Sequence, residues 1–243
     1  MDDELNRVLV VLAHPDDPEF FCGATLAKWA RQGKEIRYLL LTCGDKGSDN
    51  PDVTPESLCV DRQLEQRNAA DVIGAKDIVF LAYHDGELVN SPEVRRDIVR
   101  EIRRFKPGVI VTCDPTSFLR TGGFINHADH RTAGAAALDA VFPAAGNLMY
   151  FPELIRDEGL LPHNVKRLYI HGNEKPDTWV DISETLATKI EALKKHVSQI
   201  DTHDVDEWMH EWAAEEGKEK GIPAAEAYRV MILQREDHSD AVS

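Results

Sequence analysis

Four short apolar runs, each followed by a polar loop and a helix-like stretch, limit this chain's possible folds more than any other feature. Residues 8–13 are apolar without a break, as in a strand buried on both faces. Residues 24–32 carry a helical pattern, and Gly33 stands where such a helix would close. Residues 36–42 form the second run. After a loop rich in Gly, Asp and Ser, Thr54-Pro55 offers an N-cap and a first-turn proline for a helix running toward Val72. Residues 78–81 are the third run, and Ser91-Pro92 opens a helix that ends before Pro107. Residues 109–112 are the fourth run, and the alanine-rich stretch 129–141 reads as a helix able to pack closely on a sheet. Strands alternating with helices pair in parallel through right-handed crossovers. Such sheets bind ligands beyond the carboxyl ends of their strands, and the most polar loops here follow runs one, two and four.

The second half is less regular. Residues 165–170 and 178–180 are expected as strands. Residues 183–196 form an amphipathic stretch with Ile190, Leu193 and Val197 on one face. Residues 205–220 are acidic and helical in pattern, with Trp208 and Trp212 spaced for core or subunit contact. With no repeat, low-complexity tract or linker, residues 1–243 are expected to form one α/β domain with a mostly parallel sheet.

Composition narrows the partners. The formal net charge of −15 opposes binding to nucleic acid or to an anionic membrane surface. The start, Met1-Asp2-Asp3-Glu4, is too acidic for a signal peptide. The run at residues 8–13 is too short to span a bilayer. No membrane insertion and a cytoplasmic location are expected. Cys22, Cys43, Cys59 and Cys113 are scattered without a CxxC pair, so they are read as reduced thiols rather than metal ligands.

Two clusters carry chemistry. Ala13-His14-Pro15-Asp16-Asp17 sits where the first strand ends, and Pro15 restrains His14 to an extended backbone. His14 and Asp17 suit a divalent metal and leave Asp16 free. Asn126-His127-Ala128-Asp129-His130 follows the fourth strand, with His127 and His130 able to face one direction on a first helical turn. Either motif alone could be an ordinary turn or helix start. Both at one edge of a parallel sheet supply two histidines and a carboxylate, a catalytic zinc set with a position open for water. A nucleotide-binding Rossmann-like module is the rival class. The first strand-to-helix turn lacks GxGxxG and puts carboxylates where a pyrophosphate would lie.

At these residues the chain resembles the PIG-L/LmbE-like N-acetylglucosaminyl deacetylases, which carry an AHPDD motif and a later HxDH-type motif. The resemblance extends through Thr42-Cys43-Gly44-Asp45-Lys46-Gly47-Ser48, Arg62 with Glu65, Asp85-Gly86-Glu87-Leu88 and Ala225-Glu226-Ala227-Tyr228. It departs at Cys22-Gly23, where the family often has Gly-Gly. The resemblance implies a Rossmann-like three-layer fold and one zinc ion per chain on His14, Asp17 and His130. It further implies Asp16 as general base, with His127 as an electrophilic helper oriented by Asp129. The implied substrate is a small N-acetylated sugar or glycoconjugate, and self-association is common in the family. A same-fold amidase cutting a larger glucosamine-linked amide, such as a thiol conjugate, shares this mechanism. Arg62 either meets sugar hydroxyls or pairs with Glu65. Asp45, Lys46 and Ser48 either line the pocket or form a solvated turn. Arg156 either reaches the site from its loop or stays on the surface. His196, just before Ser198-Gln199, lies in a family-like segment without an assigned role.

Overall fold

In the computed structural model, which describes residues 3–120, 123–200 and 204–233, the first apolar run is strand β1 (Arg7–Leu12), inside a seven-stranded sheet. It leads to α1 (Asp17–Arg31), β2 (Glu35–Thr42), α2 (Pro55–Ile73), β3 (Asp77–Tyr83), α3 (Pro92–Phe105) and β4 (Val109–Cys113). A small hairpin, β5 (Leu119–Arg120) and β6 (Phe124–Ile125), precedes α4 (Ala128–Asp139). Then come α5 (Pro152–Glu158), β7 (Arg167–His171), β8 (Thr178–Asp181), α6 (Leu186–Leu193), α7 (Val205–Lys218) and β9 (Ala225–Ile232).

The strand order is β3-β2-β1-β4-β7-β9-β8. The first five run parallel, and β9 lies antiparallel to both β7 and β8. The chain lays β2 and β3 to one side of β1, then crosses to place β4 on the other. The loops after β1 and β4 therefore leave the sheet where the strand order reverses, which is where such sheets open a crevice.

The unbroken apolar run has a direct cause. Val8, Val10 and Leu12 pack toward α1 and α2 with Leu26, Ala69 and Ile73. Leu9, Val11 and Ala13 pack toward α3 and α4 with Ile98, Ile102, Ala133 and Ala136. Each such burial contributes about 1.5–3 kcal/mol for a Val or Leu, so neither face tolerates a charge. The expected helix starts also hold. Thr54 accepts the Ser57 N–H while the Ser57 hydroxyl accepts the Thr54 N–H, and Ser91 accepts the Val94 N–H.

The structure corrects some expectations and adds features on which the sequence offered none. Helix α1 begins at Asp17 rather than near residue 24, because Asp17 and Pro18 already form its first turn. Residues 225–232 form a strand, held antiparallel on β7. Ile190 and Leu193 are buried, but Val197 lies beyond α6 and is 70% exposed. Trp208 and Trp212 stack at 6.0 Å, with Trp208 half exposed. Cys43 and Cys59 are joined in a disulfide, with Cα atoms 5.1 Å apart, so they are not free thiols; Cys22 and Cys113 are free and buried. Met1, Asp2, His203 and His238 lie outside the described residues. Among the described residues, no helix is long and apolar enough to cross a membrane.

Candidate active site

The β1–α1 turn folds back on itself through Asp17. Its Oδ2 accepts the N–H groups of Ala13 at 3.1 Å and His14 at 2.8 Å. This carboxylate closes the turn and leaves Oδ1 facing His130 Nε2 at 3.0 Å. Asp16, between the two, takes a positive φ of 89° and has its N–H on Gln66 Oε1 at 2.8 Å. From the other side, His127 caps α4 by accepting the Asp129 N–H on Nδ1, and His130 follows one turn later. Helix α4 can come this close because position 134 is glycine: a Cβ there would lie 2.3 Å from the Cys113 carbonyl oxygen. The ring centres of His14, His127 and His130 lie 4.8–5.3 Å apart.

His14 is clamped at its far nitrogen. Nε2 meets Asp85 Oδ1 at 3.1 Å and Asp129 Oδ2 at 3.3 Å. Asp129 is wholly buried and also accepts the N–H groups of Gly86 and Leu88. Its carboxylate thus orients His14, not His127 as the sequence suggested. Among the described residues, the carboxylate that reaches the His127 ring is Asp85, 4.0 Å from Nε2. Asp85 follows β3 and carried no spacing signal of its own. Its signal in the sequence was the family-like segment Asp85-Gly86-Glu87-Leu88.

Charges follow this arrangement. Burial disfavours a charged His14, yet its bonds to Asp129, Asp17 and Asp85 hold its pKa well above the ordinary value. Burial works against the Asp17 carboxylate too, but His130 and His14 hold its pKa well below the usual range. Burial pushes Asp16 up to about 6, opposed by the Arg62 guanidinium and reinforced by Asp17. Burial, then the neighbouring His14 and His130, lowers His127.

The donor set fits a zinc ion. With His14 Nε2 occupied by Asp85 and Asp129, Nδ1 is the nitrogen turned to Asp17, 3.5 Å from its Oδ2. Bonds of about 2.0–2.1 Å in a tetrahedron put ligand atoms roughly 3.3 Å apart; the Asp17 carboxylate faces both rings near that spacing, with Oδ1 3.0 Å from His130 Nε2 and Oδ2 3.5 Å from His14 Nδ1. His14, His127 and His130 form a group able to hold a metal, and His14, Asp85, His127 and Asp129 form a second, overlapping one. A carboxylate on the far nitrogen of a histidine ligand is a usual support of such centres.

The remaining candidates fall into place differently. Arg62 is buried and neither pairs with Glu65 nor faces open space. It donates to the carbonyls of Gly44 and Pro15 and to Asp16 Oδ2, while Glu65 holds Ser198. Asp45 accepts the Asp85 N–H at 2.8 Å and meets His84 at 2.9 Å, so it supports the loop bearing Asp85. Lys46 pairs with Glu87 on the exposed rim. Arg156 is exposed and paired with its neighbour Asp157.

The PIG-L family pattern (GlcNAc-PI de-N-acetylase) matches residues 9–141, which is more than half of the chain and spans both histidine motifs. The chain belongs to the PIG-L family. Diacetylchitobiose deacetylase of Thermococcus kodakarensis is 33% identical over 94% of this PIG-L chain and 84% of its own length. The probable N-acetyl-alpha-D-glucosaminyl L-malate deacetylase 2 of Bacillus anthracis is 28% identical, over 81% of this chain and 82% of its own. Among solved structures, the N,N'-diacetylchitobiose deacetylase of Pyrococcus horikoshii matches with a TM-score of 0.85. That match is 27% identical and covers 98% of this chain and 89% of the other.

Proposed function

We propose that this PIG-L chain is a zinc-dependent N-deacetylase that removes the acetyl group from an N-acetylglucosamine unit of a small sugar or glycoconjugate. One observation carries the reading. Asp17 faces both rings at the sheet's reversal point, with Oδ1 3.0 Å from His130 Nε2 and Oδ2 3.5 Å from His14 Nδ1, and Asp16 lies beside it. Relatives named for N-acetylglucosamine-type substrates support the substrate class.

His14, Asp17 and His130 would hold one ion per chain. A zinc ion in such a set supplies Lewis acidity, making water a nucleophile near neutral pH and polarising the amide carbonyl. Asp16 takes the proton of the attacking water and passes it to the departing amine as the C–N bond breaks, releasing acetate. His127, 45% exposed at its side chain, faces the open side and donates to the carbonyl oxygen as negative charge develops there. Asp129 and Asp85 hold the His14 ring by Nε2 and so would leave Nδ1 as its ligand atom for the ion.

Self-association belongs to the same proposal. Phe118, Leu119, Phe124 and Ile125 of the hairpin before α4 are each more than half exposed, the mark of a contact surface. Light scattering of the purified protein tests it, and a monomer at micromolar concentration would count against it.

The functional test is acetate release from a panel of N-acetylated glycosides, N,N'-diacetylchitobiose among them, alongside metal analysis. About one zinc per chain and release from at least one glycoside are expected. A zinc-replete protein that releases acetate from none would end the reading.

A further inference from the structure

Behind Asp16 lie three polar side chains that the reaction as described does not use. Gln66, Glu19 and His196 are each 0% exposed, so none can touch a substrate. They meet where α1, α2 and the turn after α6 pack together. Gln66 Oε1 accepts the Asp16 N–H at 2.8 Å. Gln66 Nε2 donates to Glu19 Oε2 at 2.9 Å, and the same oxygen accepts from His196 Nε2 at 3.1 Å. Burying a carboxylate and an imidazole is costly unless they are paired and hydrogen-bonded, as these are, and the pairing has a purpose at Asp16.

That purpose is visible in the backbone. Asp16 is a non-glycine residue at φ 89°. Such a conformation costs on the order of 1–3 kcal/mol and persists only where its surroundings over-determine it. We infer that His196, Glu19 and Gln66 form a positioning chain that holds the Asp16 backbone in this conformation and so aims its carboxylate; the inference rests on Asp16 being the proposed base.

The direction of each bond supports this. A glutamine amide has one accepting and one donating end. Glu19, acceptor only, takes the donating end and leaves the Gln66 carbonyl oxygen for the Asp16 N–H. The reversed amide would set two acceptors against each other at Glu19 and two donors against each other at Asp16. His196 fixes which way the Glu19 carboxylate points. Arg62 completes the grip from the opposite side, on the Pro15 carbonyl and Asp16 Oδ2. The backbone and the carboxylate of Asp16 thus have separate anchors.

The test uses the full-length zinc-loaded protein with N,N'-diacetylchitobiose as probe. Gln66→Leu should lower kcat about 10²-fold, the scale of a small misplacement of a reacting group, with KM and zinc content near wild type. His196→Leu should follow it, and His196→Gln, which keeps an N–H for Glu19, should recover most of the loss. The deciding measurement is a double-mutant cycle. In an Asp16→Asn background, Gln66→Leu should cost little more, because aim no longer matters once the base is gone. A merely structural role would multiply in both backgrounds, and that result, or a normal kcat in Gln66→Leu, overturns the inference. If Gln66→Leu does not fold, the two His196 variants in the same two backgrounds give the comparison. A crystal structure of either leucine variant reads the inference without turnover: Asp16 should leave positive φ, and an unchanged φ with an unchanged carboxylate position refutes it. Wild-type turnover in Asp16→Asn alone would instead refute the assignment of the base.

Discussion

At the residue scale, the two aspartates of one turn separate by what they touch. Asp17 is closed in by backbone N–H groups and His130, whereas among the described residues Asp16 has only Arg62 on its carboxylate. Asp16→Asn should therefore retain zinc and lower kcat by about 10²–10⁴-fold, the range of general acid–base assistance; metal analysis and steady-state kinetics on one preparation check both halves. Asp129 has the opposite profile. It lies behind His14 rather than at the reacting centre, so Asp129→Ala should weaken zinc affinity about 10–100-fold. Titration against a competing chelator measures this, and an unchanged affinity would show that Asp85 alone suffices. The sequence revealed His14, Asp17, His127 and His130 because their spacing is compact and each pair follows a strand. Asp85, a lone acid in a turn, showed only as part of a family-like segment and without a role, and nothing revealed the link from His196 to Glu19, which are far apart in the chain and meet only through the helix packing.

At the element scale, the first four strands and the helix caps were legible because they depend on local chemistry. Unbroken apolar runs mark doubly covered strands, and Thr54-Pro55 and Ser91-Pro92 mark helix starts. Strand β9 escaped notice because its outer half is exposed and its partner β7 lies far back in the chain. The disulfide escaped because pairing depends on Cα separation, which spacing in sequence does not give. It ties the loop after β2 to α2, the helix that carries Arg62 and Gln66. Closing a loop of this length contributes about 3 kcal/mol, so Cys43→Ser should lose roughly that much in denaturant unfolding. The same loss should appear on adding dithiothreitol to the wild type, and a reductant-insensitive midpoint would show that the bond is not formed. Helix α4 offers a second element-scale test. Its close approach to β4 depends on Gly134, so Gly134→Ala must push the helix outward. Overpacking costs about 1–3 kcal/mol. Because His127 and His130 ride on α4, zinc affinity should fall together with stability, and a loss of stability alone would separate the helix from the site.

At the scale of the whole molecule, the metal and the fold should be linked. Asp17, Asp85 and Asp129 crowd around His14 in a chain whose net charge is already −15. Folding brings these carboxylates together, and only the folded chain brings His14, Asp17 and His130 to ligand spacing. An ion that binds the folded state and not the unfolded one stabilises by mass action, about 4 kcal/mol at a thousand times its Kd. For a chain of this size each kcal/mol moves Tm by about 2–4 °C. Zinc added in that excess to chelator-stripped protein should therefore raise Tm by roughly 8–16 °C. The shift separates ligands from neighbours without any turnover measurement. His14→Ala, Asp17→Ala and His130→Ala should each abolish most of it, and Asp16→Asn should keep it. Asp129→Ala should need more zinc for the same shift, because it loosens His14 without removing a ligand. If His127 is a ligand instead, His127→Ala will abolish the shift as His130→Ala does, and a full shift in His127→Ala leaves it free to face the substrate.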